Sequence, residues 1–160
     1  MSSPTGGLRR ASLVVTSPVT GTVVGLEGVN DPVFSTAMVG PGTAVDPDRR
    51  PGHVCAPVSG TLRKLKPHAF IVVTEDGHGV LVHLGIDTIA LDGAGFTLLA
   101  AEGDQVDAGA PIVKWDPESV AARGFSPVCP VIALDASDDL LVNRNTAGFV
   151  DVGDPLFSWN

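Results

Sequence analysis

His68 and His83 stand in the stretch PHAFIVVTEDGHGVLVHLGIDT, fifteen positions apart and each among apolar neighbours. A neutral imidazole serves as nucleophile, acid/base or metal ligand at physiological pH, so two on one surface can share a small ligand. Between them Asp76-Gly77 is a strong hairpin signal. With an even loop, residue 68 lies opposite 85, and the two histidines become diagonal neighbours on one face, roughly 7–8 Å apart at the backbone. An odd loop puts them on opposite faces. The apolar pattern favours the even loop: Ile71, Val73, Val80, Val82 and Leu84 make a uniformly aliphatic face that reads as core. His68, Phe70, Val72, Thr74, Leu81 and His83 make a mixed, partly exposed one. A histidine among apolar residues is commonly a hydrogen-bonded core residue, and the pair is what shifts the balance. His53 and His78 read as solvated loop residues.

Three chemistries suit such a pair. A metal site needs further ligands, and HExxH and His-x-His spacings are absent, so no metal is expected. A hydrolase triad needs a Ser or Cys on an elbow, and GxSxG is absent. A phosphoryl carrier needs one histidine to take the phosphate and another to hydrogen-bond its oxygens. It needs neither metal nor nucleotide, which agrees with the absence of a GxxxxGK loop. Such a carrier must receive its phosphate from a partner protein.

The elements that position the pair are read from the rest of the chain. Its 160 residues suit one domain with a real core. With 44% hydrophobic residues, 19 Gly, 13 Pro and 18% charged residues, strands joined by tight turns should dominate. SPVTGTVVGL from Ser17 matches APVSGTLRKL from Ala56, and VDAGAPIVKW from Val106 matches VDVGDPLFSW from Val150. Units used twice and packed face to face predict an all-β fold, an antiparallel β-sandwich or barrel with internal pseudo-symmetry. The helical candidates are short: Asp116 caps a turn through ESVAARG that stops at Gly124, and a second turn covers Ala136 to Leu141. Cys55 and Cys129, far apart and outside any CxxC, read as packing residues.

The formal charge of −8 excludes a nucleic-acid or anionic-membrane surface and favours a basic partner. The sequence has neither a run of about 18 apolar residues nor a signal-peptide core, so a soluble cytoplasmic protein is expected. Residues 1–11 read as a flexible tail ahead of a single domain, 12–160. The starting Met and a complete final strand favour a free-standing protein over a piece of a longer one.

Taken together, HAF followed by VHLGIDT and, in order along the chain, SPVTG, DPVFSTAMVGPGTAVDP, VCAPVSGT, GAGFTLLAAEGDQVDAGAPI and GFVDVGDPLF resemble the glucose-family enzyme IIA component of the bacterial phosphoenolpyruvate:sugar phosphotransferase system. The resemblance covers nearly the whole chain from about residue 12. It implies a sandwich of the duplicated hybrid motif type, with His83 phosphorylated, through Nε2, and His68 stabilising the phosphate. It implies no cofactor. The phosphate would arrive from phospho-HPr and leave to a cysteine of the IIB domain of a sugar permease, so contact with the membrane is peripheral. The family also docks on metabolic enzymes and transporters in its unphosphorylated form, which gives a regulatory alternative.

The resemblance further implies a partner-docking rim of Val33 and Phe34, joined by Phe70, and acidic positions at Asp31 and Asp87 that meet a basic partner. Phe34 reads equally as a core aromatic and Asp87 as a turn residue. One departure stands out: many members have Phe-x-Thr-x-His before the first histidine, where this chain has Leu65-Lys66-Pro67-His68, two residues shorter and without the threonine. Lys66 is either a solvated lysine before a rigid proline or a cation beside the phosphate. The GDxVxxGxP run at Gly103 to Pro111 is similar to biotinyl and lipoyl domains, and GVLVHLG to LytM-type zinc peptidases. Neither the cofactor hairpin nor the extra metal histidine is present.

Overall fold

The structure, a computed structural model, describes residues 12–160; the expected tail at 1–11 lies outside the described residues. Along the chain run β1 (Leu13–Thr16), β2 (Gly21–Val23), α1 (Pro32–Ser35), β3 (Gly42–Pro47), β4 (Gly52–Cys55), β5 (Gly60–Lys66), β6 (Ala69–Val73) and β7 (Gly79–His83). The second half holds β8 (Phe96–Leu98), β9 (Gln105–Val106), β10 (Pro111–Trp115), α2 (Pro117–Ala122), β11 (Cys129–Ala133), β12 (Leu141–Val142), β13 (Gly148–Val150) and β14 (Pro155–Trp159). Short 3-10 turns occur at Leu26–Gly28, Thr88–Leu91 and Asp138–Leu140. As expected, α2 begins with an Asp116 cap and a proline in its first turn, and the chain leaves it through Gly124 at φ 91.

The strands form one sheet of order β13-β2-β3-β11-β7-β6-β5-β9 and two three-stranded sheets, β1-β14-β12 and β4-β10-β8, with antiparallel pairing throughout. The large sheet runs from edge to edge, so of the two expected architectures the sandwich is the one formed. Between the sheets lie Val15, Val54, Leu62, Phe70, Val82, Ile112, Leu156 and Phe157, each at most 1% exposed.

The sequence repeats are repeats of register. Gly21 pairs with Val150 as Gly60 pairs with Val106. Leu13 pairs with Trp159 as Gly52 pairs with Trp115. The two units also clasp each other reciprocally, Thr16 N–H donating to Pro57 O and Cys55 N–H to Pro18 O. A β-carbon at Gly21 would lie 2.1 Å from the Asp46 carbonyl oxygen, and one at Gly60 2.2 Å from that of Val73, so both units need glycine for the same close backbone approach.

The hairpin of β6 and β7 differs from expectation. Its register, Phe70 opposite Val82 and Val73 opposite Gly79, leaves an odd loop, Glu75 to Gly77, closed by Thr74 N–H to His78 O. Gly77 at φ 88 supplies the left-handed residue that a three-residue loop requires. The core face is therefore Phe70, Val72, Val80, Val82 and Leu84, while Ile71, Val73, Leu81 and His83 point to the other side and are half-buried. Phe70, 1% exposed, is a core residue and offers no docking surface. His53 lies within β4 rather than in a loop, and the His78 ring packs edge-on against Trp159 at 4.3 Å between centroids.

Candidate functional site

His83 is the last residue of β7, and the odd loop would turn it away from a His68 located in β6. His68 is not in that strand. Lys66 pairs with Ala69, so Pro67 and His68 are the two turn residues joining β5 to β6, and strand alternation does not govern His68. Pro67 fixes its own φ in the turn. The His68 carbonyl accepts from Leu84 N–H at 2.7 Å, which ties the turn to the residue after His83. The two rings meet edge-on with centroids 5.3 Å apart and planes at 65°. The sequence brings the histidines together, by a turn rather than by a shared strand face.

Past His83 the chain reverses sharply. Gly85 has φ 84, and a β-carbon there would lie 2.6 Å from Thr88 Cγ2 and 2.8 Å from the Ser126 carbonyl oxygen. Ile86 N–H donates to Ser126 O at 2.9 Å, and the fully buried Thr88 hydroxyl donates to Leu84 O at 2.7 Å. This reversal aims the Gly85 carbonyl at Nδ1 of His83 in a short hydrogen bond. A carbonyl only accepts, so Nδ1 carries the proton, and the neutral ring presents an unprotonated Nε2.

Burial lowers the pKa of His83; the bond to Gly85 and the carboxylates of Asp31 and Asp87 pull it upward without cancelling the burial. His68 is also held below the usual histidine value, by burial first, then by His83 and Lys66. Both rings are neutral at neutral pH, which preserves a lone pair on Nε2 of His83.

Asp31 comes from the connection between β2 and β3. It caps α1, accepting from Val33 N–H at 3.0 Å, and Pro32 opens that turn. Asp87 sits in a left-handed turn at φ 62. Of the expected docking rim, Val33 is 40% exposed, whereas Phe34 is only 6% exposed. Phe34 packs into a small apolar cluster with Leu26, Val29 and Ile86, and its ring stands 5.3 Å from that of His83. It is a wall behind the histidine rather than a free rim, because the single turn of α1 points it inward. Exposed apolar surface is supplied instead by Ile89, 69% exposed, which lines a recess with Lys66 and His68. Sequence reasoning missed Gly85, Thr88 and Ile89; the glycine directly after VHL was the available signal for a left-handed reversal. Cys55 and Cys129 are free and buried. Among the described residues no group of three or more His, Cys, Asp or Glu side chains converges as a metal site, and no helix is long and apolar enough to cross a membrane.

Comparison with known proteins adds to this geometry. A family model described as phosphoenolpyruvate-dependent sugar phosphotransferase system, EIIA 1, matches residues 13–139. The PTS system glucose-specific EIIA component of Halalkalibacterium halodurans is 36% identical over 143 residues, 88% of this chain and 82% of that protein. The PTS system N-acetylglucosamine-specific EIICBA component of Escherichia coli K12 is 43% identical over 124 residues, 76% of this chain, and the match spans only 19% of that longer relative. Among solved structures, glucose permease IIA from Mycoplasma capricolum matches with a TM-score of 0.86 at 35% identity, covering 93% of this chain and 96% of that one.

Proposed function

We propose that this chain, which belongs to the EIIA 1 family of the phosphoenolpyruvate-dependent sugar phosphotransferase system, carries its phosphoryl group on Nε2 of His83. The observation that carries the reading is the hydrogen bond from His83 Nδ1 to the Gly85 carbonyl, which fixes the tautomer whose Nε2 is nucleophilic. His68, with its ring 5.3 Å away, is the group that hydrogen-bonds the phosphoryl oxygens. Phe34 limits rotation of the His83 ring and excludes water from one side.

In the forward step His83 Nε2 forms a bond to phosphorus as the P–N bond of phospho-HPr breaks. In the second step that Nε2–P bond breaks as a cysteine thiolate of a IIB domain takes the group. Little covalent work is left to the protein beyond alignment and charge stabilisation. Asp31 and Asp87 face a basic partner, and the work takes place in the cytoplasm, against a membrane permease. The fused relatives, named as EIICBA or EIIBCA components, agree with a IIB partner for the IIA unit.

The test is intact-mass measurement after incubation with phosphoenolpyruvate, enzyme I and HPr. Wild type gains one acid-labile phosphate and His83→Gln gains none; labelling of the variant like wild type refutes the assignment.

The exposed Val33 and Ile89 favour a second, regulatory role. An apolar surface beside an unphosphorylated His83 can dock a target, and a phosphate on that ring opposes docking through its charge and desolvation cost. Partners captured equally by both forms would remove this role.

A further inference from the structure

Lys66, Ala69 and His83 occupy one cross-strand row. Lys66 of β5 is paired with Ala69 of β6, and Ala69 with His83 of β7. Directly paired residues of an antiparallel sheet point to the same face. The neighbouring row confirms the assignment of faces: Leu65, Phe70 and Val82 are similarly paired, and all three are buried in the core. Lys66 and His83 therefore project from the outer face, two strand spacings or about 10 Å apart at the backbone. Ala69, the residue between them in the row, carries only a methyl group. A lysine stem lies readily across such a small residue with its ammonium in water.

The charges around His83 give that ammonium a task. The carboxylates of Asp31 and Asp87 both act on the ring, and a phosphoryl group placed there adds further negative charge beside them. Lys66 is exposed and makes no ion pair; the pairs among the described residues are Arg49–Asp46, Arg50–Asp48 and Arg144–Asp138. It lines the recess that holds His68, together with Asp92. Its charge is also felt at the His68 ring, where it helps to keep that ring neutral.

Building on the His83 reading above, we propose that Lys66 is the cation that holds the phosphoryl group on His83, reaching it across Ala69 alongside His68. It keeps its proton throughout: Nε2 of His83 bonds to phosphorus as the donor's P–N bond breaks, and the donor nitrogen is protonated from solvent. Lys66 neutralises charge on the phosphoryl oxygens in the transfer and in the product.

The test uses phosphoramidate, a small P–N donor, so that contacts with HPr do not enter the result. Labelling of the intact chain is followed by mass for wild type, His83→Gln, Lys66→Gln and Lys66→Arg. Lys66→Gln should label about five- to tenfold more slowly at low salt, with Lys66→Arg near wild type and the gap shrinking in high salt. Equal rates for Lys66→Gln and wild type would overturn the proposal. So would equal slowing of Lys66→Gln and Lys66→Arg, or a gap indifferent to salt, since either means packing rather than charge. If wild type and His83→Gln label alike, the His83 reading itself fails and this proposal falls with it; that outcome is separate from the others because it does not involve Lys66.

Discussion

The ring of Phe34 stands 5.3 Å from that of His83, with the planes tilted by 57°. Phe34 is also buried among Leu26, Val29 and Ile86, so one side chain both fills a cluster and packs against the His83 ring. Phe34→Ala should cost about 3–4 kcal/mol of stability and slow phosphorylation of the fraction that remains folded, whereas Phe34→Leu should preserve most of both. Urea unfolding paired with a labelling rate separates the two effects; a fast, merely unstable Phe34→Ala would mean that the ring does not orient His83.

His68→Gln keeps a polar group in the turn but loses the imidazole that faces His83. It should still accept phosphate and pass it on slowly, by about a hundredfold. The measurement is a chase of the labelled variant with a IIB domain, and undiminished transfer would free His68 from its assigned role.

Protonation sets a lower pH limit. Both histidines are held below the usual histidine value of 6.5, mainly by burial. The unfolded chain therefore binds protons before the folded one does. The associated stability is complete above about pH 6.5, where both states are neutral, and is lost as pH falls toward the depressed folded values. Labelling should likewise hold steady through neutral pH and decline only on the acid side. Ring-nitrogen titration by NMR should place both midpoints below 6.5; a midpoint above it for His83 would contradict the burial argument.

Gly85→Ala places a methyl group against Thr88 and the Ser126 carbonyl in a left-handed backbone. It should destabilise by about 1–3 kcal/mol and disturb the carbonyl that holds the Nδ1 proton. An altered His83 tautomer in the folded variant, read from its ring-nitrogen shifts, is the outcome expected; an unchanged tautomer would show that the carbonyl is held by other contacts.

Much of this was legible in the chain. The paired SPVTG and APVSG motifs and the two VDxGxP runs gave the sandwich, because glycines needed for close backbone approach recur at equivalent places. The histidine pair was legible by type and spacing. The hairpin register was not: Ile71 and Val73 are as apolar as Phe70 and Val72, since the outer face of the hairpin is itself partly covered, and alternation then carries no contrast. The same ambiguity misplaced Phe70. Nor does one turn of helix announce which of Val33 and Phe34 faces in; that is decided by Leu26, Val29 and Ile86.

The matched registers of the two units give the molecule a built-in control. The two-residue turn of Pro67 and His68 after β5 has as its counterpart the long connection between β2 and β3, which carries Asp31 and Phe34. One hairpin tip is thus short and the other long, over strands that are paired antiparallel in both units. Changes made at Gly21 and at Gly60 perturb the same local architecture in two different neighbourhoods, so the difference between their effects isolates what the neighbourhood adds from what the scaffold requires.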